Sequence, residues 1–145
     1  MPETLKIQGK MNFHLISPKR VVLDTVADKV LLPTAQGPVM ILPQRAPLFL
    51  GVSIGTLWLK NEEEMPLCYL ISDGCAEIRR NICSVLAWGI PADDIPKEYL
   101  ENRLVSARKE LTQMNSSYGK HQLQRYMDYL SYVLSFDPRK EATVL

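Results

Sequence analysis

The sequence lacks an excess of charge of either sign. Its 145 residues include 17 lysines and arginines and 16 aspartates and glutamates, so the formal net charge is +1. Non-specific nucleic-acid binding depends on a strong basic field, which this balance does not supply. Hydrophobic residues make up 46% of the chain and charged residues 23%, which is typical of a globular protein rather than a disordered one. The composition therefore argues against nucleic-acid binding and leaves open a partner-binding protein or a small enzyme.

Long apolar runs are also missing. The longest uncharged apolar stretch, Ala46 to Leu59, contains one proline and two glycines. It is shorter than the ~20 residues that a membrane-spanning helix needs. The N-terminal segment Met1–Lys6 has no apolar core and no signal-peptide pattern. We therefore expect the protein to associate with a membrane only through its partners.

Residues that usually hold metals or build a nucleophilic site are scarce. The three cysteines, Cys68, Cys75 and Cys83, have no CxxC spacing, and we expect free thiols in a reducing compartment. His14 and His121 are far from them in the sequence, so no metal site is predicted. The chain has no phosphate-binding loop, GxGxxG or GxSxG pattern. A nucleophile pair of Cys75 and His14 is supported by residue type alone, so an enzyme is the minor alternative.

Turn-forming residues are abundant in the first part of the chain and scarce in the second. Nine of the ten prolines lie at or before Pro96, and six of the seven glycines lie at or before Gly89. Five of the six tyrosines lie at or after Tyr99. This shift predicts a boundary near residues 89–96. The predicted organisation is a tail over 1–10, one domain over 11–90 and a second domain over 91–145.

Short β-like runs separated by turn residues fill the first domain. Such runs recur about every ten residues, which is typical of a sandwich or barrel. Val39–Leu42 is predicted as a buried strand, and Gly51 and Gly55 as bulges or bends. Arg80-Asn81 is predicted as a turn. The first domain is therefore predicted to be an N-terminal antiparallel β-sandwich of two packed sheets.

The second domain has a helical period. Apolar residues recur at intervals of three and four along two segments, which predicts two amphipathic helices. The first stripe comprises Leu100, Leu104, Ala107, Leu111 and Met114, and the second comprises Leu123, Tyr126, Met127, Leu130, Val133 and Leu134. Asp94 is predicted to cap the first helix, with Pro96 in its first turn, and Asn115–Ser117 to cap the second. The helices are predicted to form a C-terminal antiparallel two-helix hairpin that ends at Phe136–Pro138.

Three segments of the first domain share a pattern with a known family. They are Phe13–Pro18 with Val21–Asp24, Asp28–Gly37 with Ile41–Leu48, and Ser72–Ile78 with Val85–Ala87. The second is similar to a strand, a glycine-containing turn and a Pro-x-His-Ala-Pro-Leu motif, and the third to a Ser-Gly-Gly-x-x-Glu-Val hairpin. In order, spacing and strand content, residues 11–90 resemble the epsilon subunit of the F-type rotary ATP synthase. The predicted helical hairpin stands where that family has one.

The resemblance implies a non-catalytic central-stalk subunit that couples ion flow through a membrane rotor ring to ATP synthesis. The implied partners are the gamma subunit, the membrane rotor ring and the catalytic alpha/beta headpiece. The implied rotor-ring interface comprises Gln36, Gly37 and Pro38, and the implied gamma-subunit interface comprises Arg45, Ala46 and Pro47. The hairpin is implied to inhibit ATP hydrolysis, through the regulatory residues Leu100, Arg103, Leu104, Arg108, Leu111, Leu123, Met127 and Leu130.

The sequence departs from the family at the partner-facing loops and on the first helix. Arg45 stands where the family usually has histidine, and Pro38 follows Gly37 where an acidic residue is usual. Around Arg103, the acidic and alanine positions of the family's nucleotide-binding motif Ile/Leu-Asp-x-x-Arg-Ala are missing, so no cofactor is expected. Three cations of the first helix are candidates for contacts with acidic loops of the catalytic subunits, with a solvated helix face as the equal alternative: Arg103, Arg108 and Lys109.

Two alternative functions stay open at this point. The departures in the loops favour an epsilon-like subunit of an alternative ion-pumping F-type ATPase. The other alternative is a stand-alone β-sandwich adaptor or enzyme with a helical lid. The absence of a transit peptide favours the cytoplasmic side of a bacterial plasma membrane, or an organelle-encoded equivalent.

Overall fold

The computed structural model describes residues 9–62 and 64–137. Within these, the chain divides after Pro91 into two compact units, the first built from strands and the second from helices. The elements are β1 Met11–Ile16, β2 Val21–Ala27, β3 Lys29–Leu32, β4 Val39–Ile41, β5 Leu48–Val52, β6 Gly55–Lys60, β7 Leu67–Ile71, β8 Gly74–Arg79, β9 Ile82–Leu86, β10 Gly89–Pro91, α1 Lys97–Gln113 and α2 Ser117–Ser135. Most of the predicted tail over 1–10, and Pro138 at the predicted end of the hairpin, lie outside the described residues.

The strands form two five-stranded sheets, which confirms the predicted sandwich. Sheet A has the strand order β2-β1-β9-β8-β5, and sheet B has the order β10-β7-β6-β3-β4. Neighbouring strands are antiparallel except β1 and β9, which run parallel from the Asn12–Ile82 pair to the Ile16–Leu86 pair. The prediction of purely antiparallel sheets is wrong at this pair. Most of the domain lies between β1 and β9 in the sequence, so no local turn pattern predicts that they pair.

Alternating side chains fill the space between the sheets. In β1, Met11, Phe13 and Leu15 are buried, while the residues between them face outwards. Strands of both sheets and the residue after β9 supply the rest of this core: Ala27, Val30, Leu32, Ile41, Val52, Leu57, Leu59, Ile71, Ala76, Ile78, Cys83, Val85 and Ala87. Burial of these apolar side chains is the main stabilising contribution to the unit. The loops at both ends of the strands are thereby attached to one rigid body.

The two glycines predicted as bulges or bends lie in regular strands. Gly51 pairs with Cys75 in β8 without any shift of register, and Gly55 begins β6 in register with β7. The bulge in sheet A lies instead between Leu15 and Ile16, opposite β2. The prediction at Gly51 and Gly55 is therefore wrong. Gly55 serves close packing, since a Cβ atom there would lie 2.8 Å from the Cβ of Pro33.

Both edges of sheet B differ from the prediction. The predicted buried strand Val39–Leu42 is the edge strand β4, in which Ile41 is buried and Met40 is 41% exposed. The sequence patterns did not predict β10, which pairs with β7 at the other edge. Pro91 in β10 has no backbone N–H, and an edge strand tolerates this loss.

The second unit is the predicted helical hairpin, in which α1 and α2 pack against each other. Ser116 caps α2 as predicted, because its hydroxyl accepts a hydrogen bond of 3.2 Å from the Gly119 N–H. The prediction of Asp94 as the cap of α1 is wrong, because the N-cap residue is Pro96, with φ −78° and ψ 75°. Ile95, as the residue before a proline, disfavours the helical conformation, so the helix does not begin directly after Asp94. The prediction of Pro96 in the first turn is also wrong, because Pro96 is the cap and the helix begins at Lys97.

The buried positions of the hairpin follow the two predicted stripes, with one addition. The buried stripe residues are Leu100, Ala107, Met127, Leu130 and Val133. Tyr129, which the stripes did not include, is 2% exposed, and burial raises the pKa of its hydroxyl. Neither α1 nor α2 combines the length and the apolar character that crossing a bilayer requires.

Candidate functional site

The predicted rotor-ring residues Gln36, Gly37 and Pro38 lie in the β3–β4 loop. Thr34 and Gly37 close this loop with two backbone hydrogen bonds, of 3.0 and 3.3 Å. The Thr34 hydroxyl also donates to the Gly37 carbonyl at 2.5 Å and accepts from the Gln36 N–H at 3.3 Å. Gly37 has a φ of +113°, which L side chains rarely adopt. The result is a tight turn that presents Gln36 and Pro38 to the solvent.

The predicted gamma-subunit residues Arg45, Ala46 and Pro47 lie in the β4–β5 loop, and all three are exposed. The chain enters this loop through Gln44, whose φ of +61° lies in the left-handed region. The Gln44 N–H donates a hydrogen bond of 2.8 Å to the side-chain oxygen of Asn81. Sequence reasoning predicted the turn at Asn81 but missed this contact, because the two residues are far apart in the sequence.

The two predicted interfaces lie at opposite ends of the sandwich. β3 runs from Lys29, which pairs with Lys60, towards the β3–β4 loop. β4 then runs back antiparallel to β3 and brings the β4–β5 loop to the Lys29 end. The structure therefore does not bring the two predicted interfaces together. It holds them apart on one rigid β unit.

A hydrogen-bonded network lies at the end of the sandwich that carries the β4–β5 loop. The side-chain nitrogen of Asn81 donates a hydrogen bond to the Lys10 backbone carbonyl at 2.8 Å. The backbone carbonyl of Asn81 accepts one from the Asn12 N–H at 3.1 Å. The Lys10 ammonium forms an ion pair of 3.0 Å with Asp28 and a hydrogen bond with Asn61. These contacts join the start of β1 to the turns of both sheets, so this end of the sandwich has a defined surface.

Four apolar side chains form a row across the outer face of sheet A. Cys75, Leu86, Ile16 and Val21 are successive cross-strand partners on β8, β9, β1 and β2. Leu86 is 47% exposed and Val21 is 56% exposed, and Phe49 on the adjacent β5 is 70% exposed. Sequence reasoning missed this surface because it depends on the strand order and register. Contiguous exposed apolar side chains of this kind favour contact with another protein.

The predicted regulatory residues of the hairpin fall into two groups. Its apolar members are buried or half-buried and contribute to packing: Leu100, Leu104, Leu111, Leu123, Met127 and Leu130. Arg103 is half-buried as a whole residue, and the central carbon of its guanidinium lies 5.7 Å from the centroid of the Tyr126 ring. A hydrogen bond to the Tyr126 hydroxyl raises the pKa of Arg103 above its usual range. Arg108 and Lys109, the other two cations predicted as partner contacts, are exposed.

The residue types that could carry catalysis are kept apart. The Nδ1 atom of His14 lies 3.3 Å from the Asp24 carboxylate, whereas Cys75 lies two strands away in sheet A. Adjacent strands are ~4.8 Å apart, so these positions do not form a Cys75–His14 pair. Burial raises the pKa of the Cys83 thiol to about 12, so it stays protonated at neutral pH. Over residues 9–62 and 64–137, no three His, Cys, Asp or Glu side chains are grouped so as to hold a metal ion.

Comparison with known proteins identifies the first unit. Residues 10–90 match the family described as the beta-sandwich domain of the ATP synthase Delta/Epsilon chain. The match covers more than half of the chain and includes both sheets and both exposed loops. The chain belongs to this ATP synthase delta/epsilon family. The family, the fold and the class of a non-catalytic ATP synthase subunit, all predicted from the sequence, are confirmed.

Curated relatives of the family match beyond the sandwich. The ATP synthase epsilon chain of Sinorhizobium fredii is 31% identical, over 69% of this chain and 75% of its own length. The ATP synthase epsilon chain of Rhizobium leguminosarum bv. trifolii is 26% identical, over 84% of this chain and 91% of its own length. The latter match is longer than the sandwich, so the similarity extends into the hairpin.

Two solved ATP synthase structures contain chains with the same fold. One chain is from the Euglena gracilis mitochondrial enzyme, in a structure described as OSCP/F1/c-ring. It has a TM-score of 0.59 and 18% identity, over 87% of this chain and 80% of that chain. Another is from the central stalk and c-ring structure of the Tetrahymena thermophila mitochondrial enzyme. It has a TM-score of 0.53 and 11% identity, over 90% of this chain and 100% of that chain.

Proposed function

We propose that the protein is a central-stalk subunit that connects the gamma subunit to the membrane rotor ring of a rotary ATP synthase. In this role the sandwich turns with the stalk, while catalysis stays in the alpha/beta headpiece. The family match over residues 10–90 and the epsilon-chain relatives support this role. The structures that share the fold are described as parts of F1, central-stalk and c-ring assemblies, which supports the same partners.

The observation that carries the proposal is the placement of two exposed loops at opposite ends of one sandwich. The β3–β4 loop, with Gln36–Pro38, contacts the rotor ring in this proposal. The β4–β5 loop, with Arg45–Pro47, contacts the gamma subunit. Because both loops are attached to one closely packed core, a displacement imposed at one end is transmitted to the other. Transmission of torque between two bodies requires such a rigid connection.

The proposal also implies where in the cell the protein is located. It is held by its partners on the energy-transducing membrane, and on the cytoplasmic side of that membrane in a bacterium. The support is the similarity to epsilon chains of bacterial ATP synthases.

Binding to the gamma subunit of the same organism's ATP synthase tests the proposal. Arg45→Glu reverses a charge in the β4–β5 loop and is expected to weaken binding at least about tenfold, because like charges or lost ion pairs at an interface raise the dissociation rate. Lys19→Glu makes the same charge change at an exposed position near the other end of the sandwich and serves as the matched control. A wild-type chain that stays monomeric in the presence of gamma would overturn the proposal.

For the hairpin, we propose inhibition of ATP hydrolysis. The exposed Arg108 and Lys109 support this part, because they present two adjacent positive charges to acidic loops of the catalytic subunits. A chain that ends at Pro91 keeps β10 and both complete sheets, so it removes the hairpin alone. The headpiece assembled with this shorter chain is expected to hydrolyse ATP several times faster than the headpiece assembled with the full chain.

A double variant, Arg108→Glu with Lys109→Glu, tests the same point without truncation. It is expected to release part of the inhibition, whereas Lys120→Glu on the exposed face of α2 is expected to leave it intact. Equal hydrolysis by the full-length and shortened assemblies would contradict the inhibitory role. That result would leave the connecting role of the sandwich standing.

A further inference from the structure

Asn81 is the second of the two central residues of a tight turn between β8 and β9. Arg80 has a φ of +52° and Asn81 a φ of +60°. Two consecutive residues in the left-handed region form a type I′ hairpin turn, and asparagine is among the residues that tolerate this conformation best. The backbone conformation alone therefore accounts for an asparagine or a glycine at position 81. It does not account for the contacts that the side chain makes.

Both polar atoms of the Asn81 side chain are used to join separate segments. Its oxygen accepts a hydrogen bond of 2.8 Å from the Gln44 N–H, and its nitrogen donates a hydrogen bond of 2.8 Å to the Lys10 carbonyl. One amide group thereby ties the β8–β9 turn to the segment before β1 and to the start of the β4–β5 loop. Glycine would preserve the turn but lose both bonds, and aspartate would preserve the acceptor but lose the donor.

Gln44 needs such a contact. Its φ of +61° is unfavourable for a glutamine, so a residue in this conformation persists only where its surroundings hold it. The next three residues, Arg45 to Pro47, are exposed, so the core does not fix them directly. The Asn81 oxygen therefore holds the residue from which the exposed part of the loop departs.

We infer that Asn81 is a positioning residue for the gamma-facing β4–β5 loop, an inference that rests on the proposed function. Asn81 acts through Gln44: it holds the loop in one conformation, so the gamma subunit meets a preorganised surface. Without this hydrogen bond the loop samples several conformations, and part of the binding free energy is used to order it. Affinity for gamma therefore depends on the side chain at position 81.

Two substitutions separate the turn from the hydrogen bond. Asn81→Gly keeps the left-handed conformation and removes both side-chain bonds. It is expected to weaken binding to purified gamma about fivefold, the factor that corresponds to one lost hydrogen bond. Asn81→Asp keeps an acceptor for the Gln44 N–H, so it is expected to bind gamma within about twofold of the wild type. A residue that served only the turn would not be expected to keep the affinity for gamma with aspartate and lose it with glycine.

Amide exchange at Gln44 in the free full-length chain gives an independent measurement. The Gln44 N–H is expected to be protected in the wild type and in Asn81→Asp, and to exchange rapidly in Asn81→Gly. Arg80→Gly, which introduces glycine at the preceding left-handed position, is the matched control for turn flexibility and is expected to leave Gln44 protected.

Three results would overturn the inference, and they differ in what else they affect. If Asn81→Gly binds gamma as the wild type does while Arg45→Glu binds weakly, Asn81 does not position the loop, and the proposed gamma interface stands. If Asn81→Asp binds gamma as weakly as Asn81→Gly although its Gln44 N–H stays protected, the contact with Gln44 is not the cause of the weaker binding. If Arg45→Glu itself binds as the wild type does, the gamma interface assigned to this loop is wrong, and the inference fails with it.

Discussion

The guanidinium of Arg103 on α1 lies against the ring of Tyr126 on α2, with 5.7 Å between the guanidinium carbon and the ring centroid. The two side chains also share a hydrogen bond. Arg103 is therefore part of the packing between the helices of the hairpin. Tyr126 uses only part of the donor capacity of Arg103 and fixes its orientation in the hairpin. Arg108 and Lys109 on the same helix are exposed.

This contact predicts that the two arginines of α1 differ in their effect on stability. Arg103→Met removes the cation–π interaction and the hydrogen bond, and is expected to lower the free energy of unfolding by about 0.5–1 kcal/mol. Arg108→Met is the matched control at an exposed position, where a change within about 0.5 kcal/mol is expected. Urea unfolding followed by helical circular dichroism measures both. Equal losses in the two variants would show that Tyr126 does not stabilise Arg103.

Two glycines in neighbouring strands are predicted to respond in opposite ways to alanine. A Cβ atom at Gly74 would lie 2.0 Å from the Leu86 carbonyl oxygen, so the backbone of β8 or β9 must move. Gly74→Ala is expected to lower the free energy of unfolding by about 2–4 kcal/mol. At Gly51 a Cβ atom meets nothing within 4 Å, so Gly51→Ala is expected to be neutral or to stabilise by up to about 1 kcal/mol. Thermal unfolding of both variants is the check, and a tolerated Gly74→Ala would contradict the close approach.

The cap of α2 gives a third prediction. Ser116→Ala removes the oxygen that accepts from the Gly119 N–H, and is expected to cost about 1 kcal/mol of stability with a measurable loss of helicity. Ser117→Ala, within the first turn of α2, is the control and is expected to change the stability by less than about 0.5 kcal/mol. If the two serines have equal effects, Ser116 is not the functional cap.

Alkaline pH is predicted to destabilise the sandwich through Cys83. Burial raises the pKa of this thiol from its ordinary 9.0 to about 12. Above pH 9 the unfolded chain releases the proton and the folded chain keeps it, so the unfolded state binds fewer protons and stability falls as the pH rises. The limiting slope is about 1.4 kcal/mol per pH unit, and the contribution is fully present below pH 9 and lost towards pH 12.

Denaturant unfolding between pH 8 and 10 tests this slope. The Cys83→Ala variant is expected to lose part of the decline seen in the wild type, even though its stability is lower at every pH because of the cavity. Cys75→Ala controls for the removal of a thiol outside the core. The same decline in Cys83→Ala as in the wild type would contradict the assignment. In the hairpin, the raised pKa of Tyr129 is expected to cause a decline in stability of the same sign at higher pH, since burial keeps its hydroxyl protonated.

The parts of the fold that depend on neighbouring residues could be predicted from the sequence. The turn at Arg80-Asn81 and the cap of α2 each follow from a few adjacent residues, and the structure contains both. The helix start was misplaced because the effect of Pro96 on the residue before it outweighs the capping preference of Asp94. The local patterns were therefore right at the Arg80-Asn81 turn and at the α2 cap, and wrong at the start of α1.

The parts that depend on strand order could not be predicted. The parallel pairing of β1 with β9 joins segments separated by most of the first unit. The same holds for the apolar row that includes Leu86 and Val21, since its members come from different strands. The contact between Gln44 and Asn81 needs both the sandwich topology and the conformations of two loops. The sequence resemblance therefore located the exposed loops, but the residue that holds one of them became visible only in three dimensions.

The central claim is that one rigid sandwich contacts two partners through loops at its opposite ends. Hydrogen exchange measured by mass spectrometry, on the free chain and on the chain in the purified ATP synthase, tests it directly. We expect peptides that span Gln36–Pro38 and peptides that span Arg45–Pro47 to exchange much more slowly in the assembled complex than in the free chain. If either loop exchanges at the same rate in both states, the two-ended connection is contradicted.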